Sequence, residues 1–293
     1  MKITFKQLVE SHYGVLTEEL HQELKDVLNA PETDRSGTSG KLYQRKLTNF
    51  SAKVKDLSKR GEDTGLEGGT PKRGSSRAVY FPTEPKHITI DGAPAQQHTA
   101  VKVAFAGALD KHTGDSHLLG EHQNIIESDH FTRDNHSMLR HTNDHHYEYN
   151  PDGVTAPVLD HHEDGHWLEM AHADKLTGKK FTELTKTESH PKGLKFDHFH
   201  EALKNDHAAA HGEHSGTDDH DHLREHPLYQ NTQDFIYNTG NHPVDLRLQS
   251  MGVWRHPVTG KEHPVIRDYG YSNDIAKLYS KGGQNSMKAN RGW

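Results

Sequence analysis

The chain has no cysteine, which excludes a disulfide framework and any thiolate metal site and permits a reducing compartment. No stretch approaches the run of about 18 apolar residues that a membrane span needs. There is no apolar core of a secretory leader either. A membrane protein and a secreted one are therefore not expected. Apolar residues make up only 31% of 293. That length suits one large domain or two small ones, so much of it should be loop, insertion or solvated helix. The formal charge of −7 argues against a general nucleic-acid binder, although the charge is uneven along the chain.

Histidine, by contrast, is abundant, with 28 residues. His145-His146, His161-His162 and the series His211, His214, His220, His222 and His226 invite a zinc or nickel reading, because neutral imidazole is a good borderline ligand. The plainer reading is solvated polar loops whose charge changes strongly between about pH 5.5 and 7.5.

Near the start, Leu16, Leu20, Leu24, Val27 and Leu28 share one helical face, with Thr17 placed to cap it and Glu18-Glu19 suited to its positive end. A linker over residues 31–40 follows. Leu42, Leu47, Phe50, Val54 and Leu57 then give helical spacing on a basic background from Lys41 to Arg60. That face either docks an acidic partner or RNA, or is simply solvated. Gly74-Ser75-Ser76 is a small-residue turn running into a strand that ends at Phe81. Within the strand His98–Phe105, Lys102 lies in an otherwise apolar run, and a buried ammonium needs an anion. The segment Asp115–Ser128 has helical periodicity and carries Glu121 and Glu127. Glu121 is the preferred partner for the lysine and Glu127 the alternative.

Residues 132–150 are polar, lack a clear period and read as an insertion. Ala156–Leu159 and His166–Ala171 read as two strands of a hairpin leading into a connector. Beyond Asp174 the chain turns helical, with helices expected near Lys195–His211 and around Leu228, Phe235 and Ile236, ending at Gly240. Asp245–Ser272 then reads as a β-hairpin. Met251–Trp254 and Pro264–Ile266 flank the turn residues Pro257–Gly260, with Asp245 before the first strand and Asp268 after the second.

Asp245-Leu-Arg-Leu-Gln-Ser250 resembles the catalytic-loop D-x-x-x-x-N of the protein-kinase-like superfamily, and Asp268-Tyr-Gly270 resembles its D-F-G. The strand around Lys102 is similar to the family's V-A-I-K strand. The resemblance covers roughly residues 70–281 and rests on order and spacing. It implies an α+β, protein-kinase-like bilobal fold: an N-terminal helical extension (1–60), a β-rich small lobe with hinge (70–171) and a reduced α-helical large lobe (172–293). It implies ATP and Mg²⁺ as cofactors. Gly74, Ser75 and Ser76 would lie over the phosphates, and Lys102, oriented by Glu121, would hold them. Backbone groups of Glu169 and Ala171 would meet the adenine edge. Asp268 would bind Mg²⁺, Asp245 would take the proton of the attacking hydroxyl, and Arg247 would steady the transferring group.

The sequence departs from the family in two places. Ser250 stands where a metal-binding asparagine is usual, a poorer oxygen donor, and Pro243-Val-Asp245 replaces His-Arg-Asp, with His242 one position early. No A-P-E motif follows Tyr271, which implies a minimal or atypical member, or one completed by another subunit. Finally, Met1–Glu10 is similar to the targeting segments of proteins packaged in tailed-bacteriophage heads, with Leu8-Val-Glu10 resembling a prohead-protease site. That resemblance implies a phage protein in the host cytoplasm or virion. Its partners would be a nucleotide, a protein or small-molecule acceptor, and a capsid or host protein. The alternatives are a catalytically weak kinase-like binding module and an internal virion protein.

Overall fold

The computed structural model describes residues 52–53, 56–57, 59–60, 66, 72–73, 77–104, 119–129, 132–143, 145–162, 165, 167–212 and 221–270. The expected N-terminal helix, Leu8–Glu10, the turn Gly74-Ser75-Ser76 and the segment after Gly270 lie outside these residues. The protein is mixed α+β and divides into two compact units. One is drawn from Met1–Lys86, His98–Asn124 and Asp160–Glu169, the other from His87–Gln97, Ile125–Leu159 and Met170–Trp293.

The first unit holds most of a five-stranded sheet: β1 (Lys72–Arg73), β2 (Arg77–Tyr80), β5 (Thr99–Ala104), β8 (Val158–His161) and β9 (Trp167–Ala171), in the order β1-β2-β5-β9-β8. Every residue of β5 is buried, as its near-continuous apolar run predicts. Helix α1 (Leu119–Ser128) begins in this unit and is pinned to it by Asn124, which is fully buried. Its Oδ1 accepts from Arg77 Nη1 at 3.1 Å, and its Nδ2 donates to Gly165 O at 2.8 Å and to Lys102 O at 3.5 Å. One amide thus satisfies groups from two strands and a turn. At the margin, Lys86 Nζ bridges Glu169 at 2.7 Å and Asp160 at 3.2 Å.

The second unit holds two further sheets. One has the order β4-β3-β7-β6, from β3 (Lys86–Ile90), β4 (Ala93–Gln97), β6 (Leu139–Asn143) and β7 (His146–Tyr149). Asp91 and Gly92, both with positive φ (51° and 80°), turn the β3–β4 hairpin, as an Asp-Gly pair favours. Residues 132–150 are therefore not an unstructured insertion. They form a π-helical turn (Thr132–His136) and strands β6 and β7. Only Leu139 and Tyr147 among the strand residues are buried, so no period-2 apolar signal marks the segment.

The other sheet is β10 (Asp174–Lys175), β11 (Met251–Arg255) and β12 (Glu262–Ile266), antiparallel throughout. Around it pack α2 (Gly178–Leu184), α3 (Phe196–Ala210), α4 (Asp221–Arg224) and α5 (Pro227–Thr239). Phe181, Phe196, Phe199 and Tyr229 interlock edge-on or tilted at centroid separations of 5.3 to 5.8 Å, burying the stripe that sets the helical period. Asp206 ties α3 to its neighbours, accepting from Arg224, Tyr229 Oη at 2.7 Å and Gln233. Gly240, at φ 67°, ends α5 in the left-handed conformation a C-terminal glycine supplies.

Candidate functional site

The antiparallel register of β11 and β12 pairs Met251 with Ile266. The residues before the first strand and after the second therefore emerge side by side, at the end away from the turn. That places the loop carrying Asp245 beside the segment carrying Asp268. Ser250 joins the two. Its hydroxyl donates to Asp245 O at 2.6 Å, and its own carbonyl accepts from the N–H groups of Arg267 (2.9 Å) and Asp268 (3.2 Å). Ser250 is buried, Asp245 half-buried, and Asp268 and Arg247 exposed.

Arg267 braces the same end from behind, donating to Ala173 O at 2.9 Å and Gln249 O at 3.3 Å. Burial pushes its guanidinium below the usual arginine value, opposed by the charges of Asp268 and Asp174. The approach is close enough to require glycine at 252. A Cβ there would lie 2.7 Å from Ala173 Cβ and 2.9 Å from Asp174 O.

The segment after Asp268 is held by Glu127, near the end of α1. Its Oε1 accepts the N–H of Tyr269 at 3.1 Å and of Gly270 at 3.0 Å, and its backbone carbonyl accepts from Tyr269 Oη at 3.1 Å. Glu127 is fully buried and Tyr269 nearly so, the tyrosine ring lying edge-on to Phe235 at 5.6 Å. These bonds give both buried amides an acceptor. They fix Tyr269 inward, which leaves the preceding aspartate outward.

In the first unit, Lys102 pairs with Val79 across β2 and β5 and is only 5% exposed. Directly paired residues and those two positions along a strand share a sheet face. Lys102 therefore shares the face of Arg77, whose guanidinium reaches Asn124 of α1. The preferred helix residue, Glu121, has a side chain outside the described residues. The alternative, Glu127, is the one bonded to the D-Y-G backbone. Glu169 accepts from Lys86. The N–H of Ala171, expected at a nucleotide edge, instead donates to Pro157 O at 2.7 Å.

No family model, curated protein or solved structure matches the chain.

The histidines divide. Among the described residues no group of three or more His, Asp or Glu is placed to hold a metal. His145, His146 and His211 are exposed, as solvated loops require. His226, expected in such a loop, is instead 3% exposed and caps α5: Nδ1 accepts from Leu228 N–H at 3.0 Å and Nε2–H donates to Thr185 O at 2.9 Å. Burial pushes its pKa below the ordinary imidazole value, as it does for His136, His200 and His256. The His-Pro dipeptide was the available signal, since proline favours the first helical position and the preceding residue is then the cap.

Proposed function

We propose that the chain is an atypical kinase-like phosphotransferase of phage origin, using ATP and Mg²⁺ to phosphorylate a protein or small-molecule hydroxyl, within a bilobal kinase-like fold. The observation that carries this reading is the joining of the Asp245 loop to Asp268 through Ser250 at one end of the β11–β12 ribbon, with the next two backbone amides captured by Glu127. Phosphoryl transfer asks a protein chiefly to position groups and neutralise charge. Asp245, half-buried on a fully bonded turn, takes the role of proton acceptor. Arg247 is exposed, held by a long 3.4 Å bond from its Nε to Val244 O, and takes the role of steadying the transferring group. Lys102 takes the phosphate-binding role, and its sheet face in the first unit is the one α1 covers.

Asp268 offers an exposed hard-oxygen ligand, and Mg²⁺ asks for one or two carboxylates besides waters and phosphates. When bound, the ion supplies neutralisation of phosphate charge. Ser250 fits a second ion poorly, because it is buried and a hydroxyl is a poorer oxygen donor than an amide carbonyl. That same observation favours the second reading, a nucleotide-binding module of weak activity or a packaged virion component.

A thermal-shift titration with ATP, with and without Mg²⁺, tests both. Ligand at a hundred times its dissociation constant stabilises a fold by about 2.7 kcal/mol. The shift is expected to need Mg²⁺ and to shrink in Asp268→Ala. No shift in the unaltered chain sinks both nucleotide readings. Mg²⁺-dependent binding without phosphate release supports the module.

A further inference from the structure

Five His-Pro dipeptides occur in the sequence, at His190, His226, His242, His256 and His263. Three serve one purpose. In each, Nδ1 accepts the backbone N–H two residues on: Leu228 to His226 at 3.0 Å, Val244 to His242 at 3.2 Å and Val258 to His256 at 3.2 Å. A backbone N–H only donates, so each Nδ1 is unprotonated. The device is that of an aspartate or asparagine cap, with the difference that an imidazole loses its acceptor on taking a proton.

The middle member begins the turn that carries Asp245. Every backbone group of Pro243–Asp245 can be traced. Pro243 has no N–H, and its carbonyl accepts from His200 Nε2–H at 2.9 Å and from Leu246 N–H at 3.0 Å. Val244 N–H goes to His242 Nδ1, and its carbonyl accepts a long 3.4 Å bond from Arg247 Nε. Asp245 N–H goes to His242 O at 3.2 Å, and Asp245 O accepts from Ser250 Oγ and Arg247 N–H. One bond of this set requires a neutral side chain, the one to His242 Nδ1.

We infer that His242 is a positioning residue for Asp245, its unprotonated imidazole holding the turn that presents the carboxylate, so that acid releases the site. Its consequence for chemistry rests on the phosphotransfer reading; its effect on the turn does not. The groups facing it are His207, 4.8 Å between ring centroids on α3, with His211 stacked on His207 at 4.2 Å. His200 reaches the same turn through Pro243 O, with Lys204, Arg247 and Asp197 around it. Cationic neighbours oppose protonation of an imidazole and anionic ones favour it.

The test compares the full chain with His242→Asn, which keeps an acceptor that does not titrate, and His242→Phe, which has none. Amide protection of Val244, Asp245 and Leu246 is measured near pH 7.5 and near pH 5.5. Phosphate release from Mg·ATP is followed in parallel and split into kcat and KM. The unaltered chain is expected to lose protection in the turn by about fivefold on acidification, the factor a lost helix cap corresponds to. The Asn variant should keep it and the Phe variant lack it at both values. Where turnover is present, kcat should follow protection while KM for ATP stays. Equal acid loss in the Asn variant, or full protection in the Phe variant, overturns the inference. The expected protection pattern without any turnover upholds the role of His242 and sinks the phosphotransfer reading instead.

Discussion

Acid should destabilise this protein through its buried and half-buried imidazoles before its carboxylates titrate, and His263, half-buried, gives the expectation a number. Its ring lies 5.7 Å from Tyr149 and 5.9 Å from Trp254, and its Nε2 is 3.0 Å from Tyr149 Oη. Burial, with smaller contributions from Lys261 and His256, pushes its pKa from 6.5 to about 4. Between those values the unfolded chain binds a proton that the folded chain refuses. The stability linked to His263 is therefore complete above about pH 6.5 and lost progressively down to about pH 4. A gap of about 2.5, at about 1.4 kcal/mol each, makes about 3 kcal/mol.

The perturbation is His263→Phe, which keeps an aromatic ring beside Trp254 and removes the titration. The Tyr149 hydroxyl loses its partner, costing about 1 kcal/mol at neutral pH. The two stability curves should then cross at about pH 5.8, with the variant the more stable below it, since the unaltered protein loses about 1.4 kcal/mol for each pH unit under 6.5. Urea midpoints at several values between about pH 7.5 and 4.5 read this directly. His136, His200, His226 and His256 are also pushed down, so both proteins should weaken in acid, and only the difference is diagnostic. Parallel curves would refute the reasoning.

Glu127→Ala leaves two buried amides, those of Tyr269 and Gly270, without their carboxylate, and should cost about 2 to 6 kcal/mol by urea unfolding. Glu127→Gln keeps an acceptor oxygen and should cost clearly less; equal losses would mean the carboxylate is not what holds the segment. Gly252→Ala drives a methyl against Ala173 and the carbonyl of Asp174, with an expected loss of about 1 to 3 kcal/mol and an altered fluorescence of Trp254, two residues along the strand. In the first unit, Asn124→Ala removes the bridge between Arg77 and Gly165 and should cost about 2 kcal/mol or more, whereas a neutral result would remove Asn124 as the pin of α1.

Much of the fold was legible locally. The β11–β12 hairpin, the strand around Lys102 and the helices ending at Ala210 and Thr239 follow from period and turn signals that act over a few residues. The β3–β4 hairpin carries a local signal in Asp91-Gly92, while β6 and β7 bury too little to show an alternation. In the candidate site, the two aspartates at the mouth of the hairpin were readable because an antiparallel register places its ends together. The roles of Glu127 and Ser250 were not, because neither follows from a local pattern. Glu127 meets Tyr269 across 142 residues of sequence.

By itself, then, the order of residues determined where strands, helices and turns begin, since those depend on neighbours three or four positions away. It also determined which acids flank the ribbon. Only the tertiary structure decided which of two helix glutamates grips the Tyr269-Gly270 backbone, and that Ser250 turns its hydroxyl on a carbonyl. It alone turned three histidines of an apparently solvated composition into caps. The physical reason is common to all three. A buried donor must find an acceptor, and which atom supplies it depends on what packing brings within 3 Å or so, a distance no spacing along the chain encodes.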